Sequence, residues 1–542
     1  MKIYSFSPFG YEGSLVSVEV DLRRGIPAVD LVGLADGAVK ESRERMRSAI
    51  RNSGLDFPPE RVLISLSPAD LKKEGAGFDL AIALAVLDAK KRLDKAEEDF
   101  PDGLPLDSDI QGPVSIPGKD ECGILVMGEL ELNGKVRPVR GIHAAASTAI
   151  SGGITMCIVP VGNCEEARDV PGMKVFGAEN LCEAFEALGS PESFTKRKDE
   201  SIDVGRNVPE GSVEIGGILF PPKENGFDFS QISGQDFLLR GLQIAAAGGH
   251  NLMAYGPPGC GKTLTLQHYP NLVPLLSVEE AQPVTRIYSI AGLLPPGQPL
   301  RRRPPFRQPH QTASVEGMCG GGIHCSPGEI SLAHNGTLFL DEASEFKSSV
   351  LQMLRVPLES GAITLSRAGR STVYPANFQL LMATNPCPCG FFGSKEKICL
   401  CSARSIEQYW KKFSGPLLDR IDIMVQVDSS TRGENEIKTK STDELREGIA
   451  RAVKIQRQRQ GKKNSNLSPS EIAEYCRTSD RARDILEKSA NRYQLSPRAI
   501  SGCLKLGRTI ADMAEKEIID VESMSIAVEY RKNQAGMNLG GW

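Results

Sequence analysis

The stretch NLMAYGPPGCGKTLTLQHY, residues 251–269, constrains the fold of this chain more than any other. An apolar run ends in Tyr255, a G-x-x-x-x-G-K-[ST] signature follows, and helix-compatible residues continue from Lys262. The pattern calls for a buried strand that feeds a glycine turn and a helix that leaves it, the unit from which parallel α/β sheets are built. Gly256, Gly259 and Gly261 let the backbone wrap closely around phosphates. The predicted cradle runs from Gly256 through Pro257, Pro258, Gly259, Cys260, Gly261, Lys262 and Thr263 to Leu264. Lys262 is expected to reach the β and γ phosphates of ATP, and Thr263 to bind Mg2+. The competing reading is a glycine-rich turn without a ligand.

Downstream motifs favour the nucleotide. GTLFLDEASEF (336–346) is a hydrophobic strand ending in Asp341-Glu342, where Asp341 is expected to hold Mg2+ through water and Glu342 to polarise the attacking water. FQLLMATNPCP (378–388) supplies another buried strand ending in Thr384-Asn385, and the Asn385 amide is placed to orient that water. GPLLDRIDI (415–423) carries Arg420 beside two carboxylates, and LSPRAI (495–500) puts Arg498 at the start of a helix. A lone arginine is ordinarily surface or salt-bridged. These two, however, stand in the order of a trans-acting finger and a second sensor, which implies a homo-oligomeric ring, most often a hexamer.

A chain of 542 residues exceeds one core. Residues 1–192 alternate strand-like and helical runs, as an α/β domain does, with the acidic, Pro- and Gly-rich segment 93–121 as a loop or insertion. Residues 193–224 read as a linker, 225–430 as the P-loop α/β core, and 431–542 as a helical bundle with Ser and Asp cap signals. The longest apolar segment, FDLAIALAVLDA, is cut by Asp79 and Asp88, too short for a membrane span. The first residues lack a signal-peptide pattern, so the cytoplasm is expected, with no membrane partner. A net charge of -4 leaves any polyanion binding to local basic loops.

Four of the 13 cysteines, Cys387, Cys389, Cys399 and Cys401, form C-x-C-x9-C-x-C directly behind Asn385, while the others are scattered. Four thiolates from one loop suit a tetrahedral structural Zn2+; free thiols or redox chemistry are the alternative.

The order of these motifs resembles an AAA+ ATPase, in the magnesium-chelatase-like branch that includes the ComM (YifB) family. The resemblance rests on GLADGAVKESRERMRSAI, GHNLMAYGPPGCGKT, SPGEISLAHNGTLFLDEASEF, ATNPCPCGFFGS, GPLLDRIDI and SPRAISGCLKLGRTIADM, and runs nearly the whole chain. It implies a hexameric, ATP-driven motor, a helicase that acts on branched or single-stranded DNA and promotes branch migration in natural transformation, with the C-terminal helices as a lid. KKEGAGFDLAIAL and GELELNGKVRPVRGIHAAASTAISGGITMCIVPV resemble the Lon-protease (S5-type) fold. The resemblance places Gly75 and His143 where that protease carries its Ser and Lys, so peptidase chemistry is expected to be absent and the domain to serve binding or assembly.

The family also explains two insertions. LRRRPPFRQPHQTASVEGMCGGGIHCSPGEISLAH (300–334) carries Arg301, Arg302, Arg303, Arg307 and His310, and GAITLSRAGRSTVYPANF (361–378) forms a hairpin around Arg367 and Arg370. Both are candidates to face a pore and hold DNA phosphates without base readout, against a bland reading as solvated basic loops. Where the family reads P-H-H, this chain has Pro309-His310-Gln311. The competing functions are a chelatase-type motor subunit and a protein-remodelling ATPase. A D-x-S-x-S metal motif, which chelatase systems require, does not occur here.

Overall fold

Two sheets organise the chain. A computed structural model describes residues 1–542 except 35, 70, 72, 74, 100–122, 197–206, 296–297, 299, 368–369, 394–396, 428–438 and 538–542. The first sheet has eight strands in the order Thr195–Lys196, Lys174–Ala178, Met156–Pro160, Gly123–Val126, Lys2–Ser7, Ser14–Arg23, Arg61–Ser67, Val29–Val32. Alternation along its strands divides the side chains between two cores. Ile124, Val126, Met156 and Ile158 pack under helices Gly37–Asn52 and Asp79–Asp99, while Leu125, Cys157 and Val159 pack under Ile142–Ser151.

Two sequence expectations change here. Helix Asp79–Asp99 runs into the segment taken as a loop from residue 93, because its end is built of strong helix formers with Lys90–Asp94 and Arg92–Asp88 pairs one turn apart; residues 100–122 lie outside the described residues. Of the expected linker 193–224, residues 197–206 lie outside the described residues, and strands form on either side of them. Thr195–Lys196 adds an antiparallel edge strand to the first sheet, and Val213–Ile215 pairs with Ile218–Phe220 across Gly216-Gly217, both at positive φ. Ile218 and Phe220 are buried in the second domain's core.

The second sheet is all parallel, in the order Phe306–Arg307, Thr337–Leu340, Gln379–Thr384, Leu252–Tyr255, Ile423–Gln426. Its three central strands are continuously buried, the expected state of a sheet covered on both faces. The predicted hairpin is present, Ala362–Arg367 pairing with Arg370–Pro375. Helices Thr442–Arg459, Pro469–Tyr475, Asp480–Tyr493, Pro497–Met513 and Val521–Met537 form the C-terminal part, and Ser441 and Ser468 close capping boxes with Glu444 and Glu471. The expected core-to-lid boundary at 430 falls outside the described residues. None of the described helices is long and apolar enough to cross a membrane.

The two halves meet on helix Val278–Ile290, which packs against Ile142–Ser151. Arg286 donates to the carbonyls of Tyr11 and Glu12 and to Thr148 Oγ1, and its guanidinium lies over the Tyr11 ring at 4.6 Å.

Candidate functional site

Parallel strands deliver their C-terminal ends to one edge of the sheet, the edge where ligands of open α/β sheets bind. In the pairing register Tyr255 stands opposite both Thr384 and Gln426, and Leu340 opposite Met382. Gly256, Asp341, Asn385 and Val427 therefore all emerge there. Gly256 N donates to Thr384 O (3.3 Å) and Val427 N to Tyr255 O (2.8 Å). A Cβ on Gly256 would stand 2.0 Å from Val427 O, so only glycine fits this start of the loop.

The loop itself curls through Gly259 and Gly261 at φ +80° and +83°. Gln235, ahead of the helix Asp236–Gly248, pins it by donating to Cys260 O (2.5 Å) and accepting from Thr265 Oγ1 (2.9 Å). The Lys262 ammonium is buried and donates to the carbonyls of Gly256 and Pro257, each at 2.7 Å. Leu264 points outward, 55% exposed. Thr263 Oγ1 donates to Asp341 Oδ1 at 2.9 Å, bringing together the two residues the sequence assigned to one cation. A hydroxyl and a carboxylate oxygen side by side are hard oxygen donors of the kind Mg2+ takes in phosphate sites.

Glu342 follows in a left-handed conformation, φ 47° and ψ 49°, which costs a non-glycine residue about 1–2 kcal/mol. Its carboxylate is exposed and accepts a hydrogen bond from the Gln311 amide. The contact of Gln311 with Glu342 was not readable from sequence. Asn385 is half-buried, and its carbonyl accepts from Tyr409 Oη (3.0 Å), which also bonds Thr384 Oγ1 (3.0 Å).

Arg420 and Arg498, 78 residues apart in sequence, converge on a carboxylate that sequence reasoning missed. Arg420 is held by Glu359 Oε2 and by Pro416 O (2.5 Å), and Arg498 lies 3.1 Å from Glu359 Oε1. Hydrogen bonds from Arg420 and then Arg498 hold Glu359 below the usual carboxylate range. The backbone on either side of Arg420 is also fixed. Arg531, buried, donates to Asp419 O (3.1 Å) and to Ile421 O, and Asn251 Nδ2 donates to Arg420 O (2.8 Å).

The arginines of the basic stretch 301–307, candidates to hold DNA phosphates, are engaged within the fold. Arg302 is buried with Nε on Leu276 O (3.0 Å), Arg303 pairs with Glu224, and Arg307 meets Glu329 through two bonds at 2.6 and 2.7 Å. Arg301 lies 4.1 Å over the Tyr288 ring. These side chains bind the insertion to the core because Phe306–Arg307 is itself the edge strand. His310 is exposed. Arg367 is exposed at the hairpin's end, and Arg370 lies 5.5 Å over the Phe9 ring of the first domain.

Cys387, Cys389, Cys399 and Cys401 have Sγ atoms all within 4.8 Å of one another, a cluster able to hold a metal ion. In the first domain Gly75 is at φ +89°, and His143 is buried with Nε2 bonded to Gln282 Oε1 (2.9 Å) beneath helix Val278–Ile290. Burial pushes the His143 ring down to about 4.

Comparison with known proteins agrees with this layout. Profiles described as magnesium chelatase, subunit ChlI, match residues 228–435; subunit ChlI of Mg-chelatase, residues 18–114; and magnesium chelatase, subunit ChlI C-terminal, residues 439–531. The chain is 35% identical to the competence protein ComM of Haemophilus influenzae over 534 residues, 98% of this chain and 97% of that one. It is also 35% identical to the uncharacterized protein YifB of Escherichia coli over 532 residues, 98% and 96% of the two chains. A weaker similarity, 22% over 166 residues, links 29% of the chain to 18% of the Lon protease of Rhizobium meliloti. Membership of such a family suggests ATP hydrolysis with Mg2+. With identity and coverage sustained from end to end, the chain belongs to the ComM/YifB family of magnesium-chelatase-like AAA+ proteins.

Proposed function

We propose that this protein is a ring-forming ATPase, most simply a hexamer, that moves on branched or single-stranded DNA and drives branch migration during the uptake and recombination of DNA. The observation that carries the ATPase reading is the Thr263–Asp341 contact at the C-terminal edge of the sheet, beside a glycine loop with its lysine buried inside. The DNA reading draws its support from the end-to-end similarity to a competence protein.

In this mechanism Lys262 leaves the Gly256 and Pro257 carbonyls for the β and γ phosphates of ATP. Thr263 and Asp341 would hold Mg2+, which when bound neutralises phosphate charge. Glu342 takes the proton of the attacking water, Gln311 restraining its carboxylate and Asn385 orienting the water. Arg420 completes the neighbouring subunit's site, where it stabilises charge on the transferring phosphoryl group, and Arg498 acts beside it. The four cysteines hold a structural Zn2+. The first domain is a Lon-like module without peptidase chemistry, since Gly75 and His143 stand where that fold's protease carries its Ser and Lys. With Arg301, Arg302, Arg303 and Arg307 engaged inside the fold, DNA phosphates fall first to the exposed Arg367 and His310, with Arg370 on the same hairpin as Arg367, over Phe9.

The test is ATP hydrolysis with and without forked or four-way-junction DNA at low salt, with strand migration followed in parallel. Stimulation and migration are expected in the wild type and neither in Lys262→Ala. Hydrolysis indifferent to DNA at low salt, where phosphate contacts are strongest, would overturn the DNA reading in favour of a chelatase-type or protein-remodelling motor.

A further inference from the structure

We propose that the four-cysteine zinc site is a control element of the phosphate loop: zinc occupancy sets the protein's affinity for nucleotide. The inference rests on reading residues 256–264 as the nucleotide cradle and adds to it a metal dependence.

The thiol geometry points to one ion. Cys387 Sγ lies 3.3 Å from Cys389 Sγ and 3.7 Å from Cys399 Sγ, and the last two are 3.5 Å apart. Four sulfurs around a tetrahedral Zn2+ with Zn–S bonds of about 2.3 Å would be separated by about 3.8 Å. Packing four thiols this closely with no disulfide among them and only weak sulfur hydrogen bonds gains little by itself; a shared cation explains it. Phe392 N also donates to Cys387 Sγ at 3.4 Å, the kind of second-layer bond that stabilises a metal-bound thiolate. A tetrathiolate with no histidine or water position favours zinc in a structural role.

Three contacts connect the site to the nucleotide loop. First, Gly390, between the two cysteine pairs and at φ +83°, packs so tightly on the loop that a Cβ there would stand 2.9 Å from Pro258 Cδ. Second, the helix Ala403–Lys411 starts two residues after Cys401 and returns to the strand that precedes Cys387. Tyr409 Oη bonds Thr384 Oγ1 and Asn385 O, and Trp410 Nε1 donates to Pro386 O, each at 3.0 Å. Third, the Trp410 ring meets Tyr255, the last residue before the loop, edge to face at 5.8 Å. The ion thus closes a small circuit formed by the strand end at Asn385, the cysteine loop, and the helix that grips both Asn385 and Tyr255. Without it, Cys387 and Cys389 lose their cross-link to Cys399 and Cys401, which presses Gly390 against Pro258, and the phosphate cradle loses one wall.

The full-length protein is purified without chelators, its zinc measured by elemental analysis, and its affinity for a fluorescent ATP analogue measured before and after zinc removal with a zinc-selective chelator, then after zinc re-addition. We expect one zinc per chain, at least a tenfold loss of affinity on removal, and recovery on re-addition. Cys399→Ser/Cys401→Ser should bind under a tenth of that zinc and show the same weakened affinity. Gly390→Ala leaves the ligands in place; it should keep one zinc yet weaken nucleotide binding, which separates the loop contact from general unfolding. Zinc well below one per chain overturns the site. One zinc with affinity unchanged by its removal and by Gly390→Ala overturns the control. Wild-type zinc-loaded protein that binds no nucleotide would instead sink the nucleotide reading itself, leaving the stoichiometry to judge the metal.

Discussion

At the scale of single residues, Glu359 is the informative carboxylate. It accepts from both arginines that the motif order singled out, so within one protomer both guanidinium groups are engaged by one carboxylate. Its side chain is 57% exposed, and a partly solvated pair of this kind is weak enough to exchange partners. In the ring reading Arg420 leaves this carboxylate for the neighbour's nucleotide. Arg420→Ala and Lys262→Ala should each lower ATP turnover by about a thousandfold or more, the worth of a finger. Mixing the two inactive proteins should restore measurable turnover, because some interfaces then pair an intact phosphate loop with an intact Arg420. A mixture as dead as its components would mean that Arg420 serves its own subunit. Gln311 and Glu342 make a similar point on a smaller scale. Both were visible in the sequence, but nothing in either local pattern announces that one amide restrains the other's carboxylate.

At the scale of elements, the sheet edge explains why the site was largely legible. Strand, glycine turn and helix are encoded in contiguous residues, and apolar strands ending in Asp341-Glu342 or Thr384-Asn385 announce where the chain leaves a buried sheet. The helical C-terminal part was legible for the same reason, its serine caps being local. Less legible was how that part attaches. Arg446, on helix Thr442–Arg459, is fully buried, donates from Nε to Asn271 O and from Nη2 to Pro221 O, both at 2.8 Å, and lies 5.2 Å over the Phe220 ring. In the sequence it is one basic residue on an amphipathic helix. Replacing it by Met leaves two buried carbonyls without donors, each worth about 1–3 kcal/mol. Arg446→Met should therefore lower the unfolding free energy of the second sheet and the C-terminal helices by about 2–4 kcal/mol, read from urea transitions; a change below about 0.5 kcal/mol, typical of surface sites, would contradict the role assigned to it.

At the scale of the whole molecule, the interface between the first domain and helix Val278–Ile290 is polar and buried. Glu166 accepts from His143 N (2.9 Å) and Ser289 Oγ (3.0 Å), Gln282 bonds the His143 ring and Asp169 O, and Asp169 Oδ2 accepts from Leu300 N (2.7 Å). His143 is held neutral by burial, its pKa falling from the ordinary 6.5 to about 4. The unfolded chain therefore binds the extra proton first on acidification. Stability from this group is complete above pH 6.5 and is lost as pH falls towards 4, about 2 kcal/mol by pH 5. Burial raises the pKa of Glu166, which acts in the opposite direction at the acid end of this range. His143→Gln, able to keep a bond to Gln282, should flatten the drop in thermal stability between pH 7 and 5; an unchanged slope would remove His143 as its source.

What the sequence determined by itself is the order of the glycine loop and of the strand ends that meet beside it, because such a loop and the ends of buried strands are written in neighbouring residues whose backbone chemistry is local. What only the tertiary structure decided is which side chains remain free to use that site. The arginines of 301–307 became struts, Arg420 and Arg498 met on Glu359, and the cysteines closed on one another beside Gly390, which packs on Pro258. Those outcomes depend on crossovers that bring distant segments to one sheet edge, and a charged or thiol side chain carries no local sign of the partner it will find there.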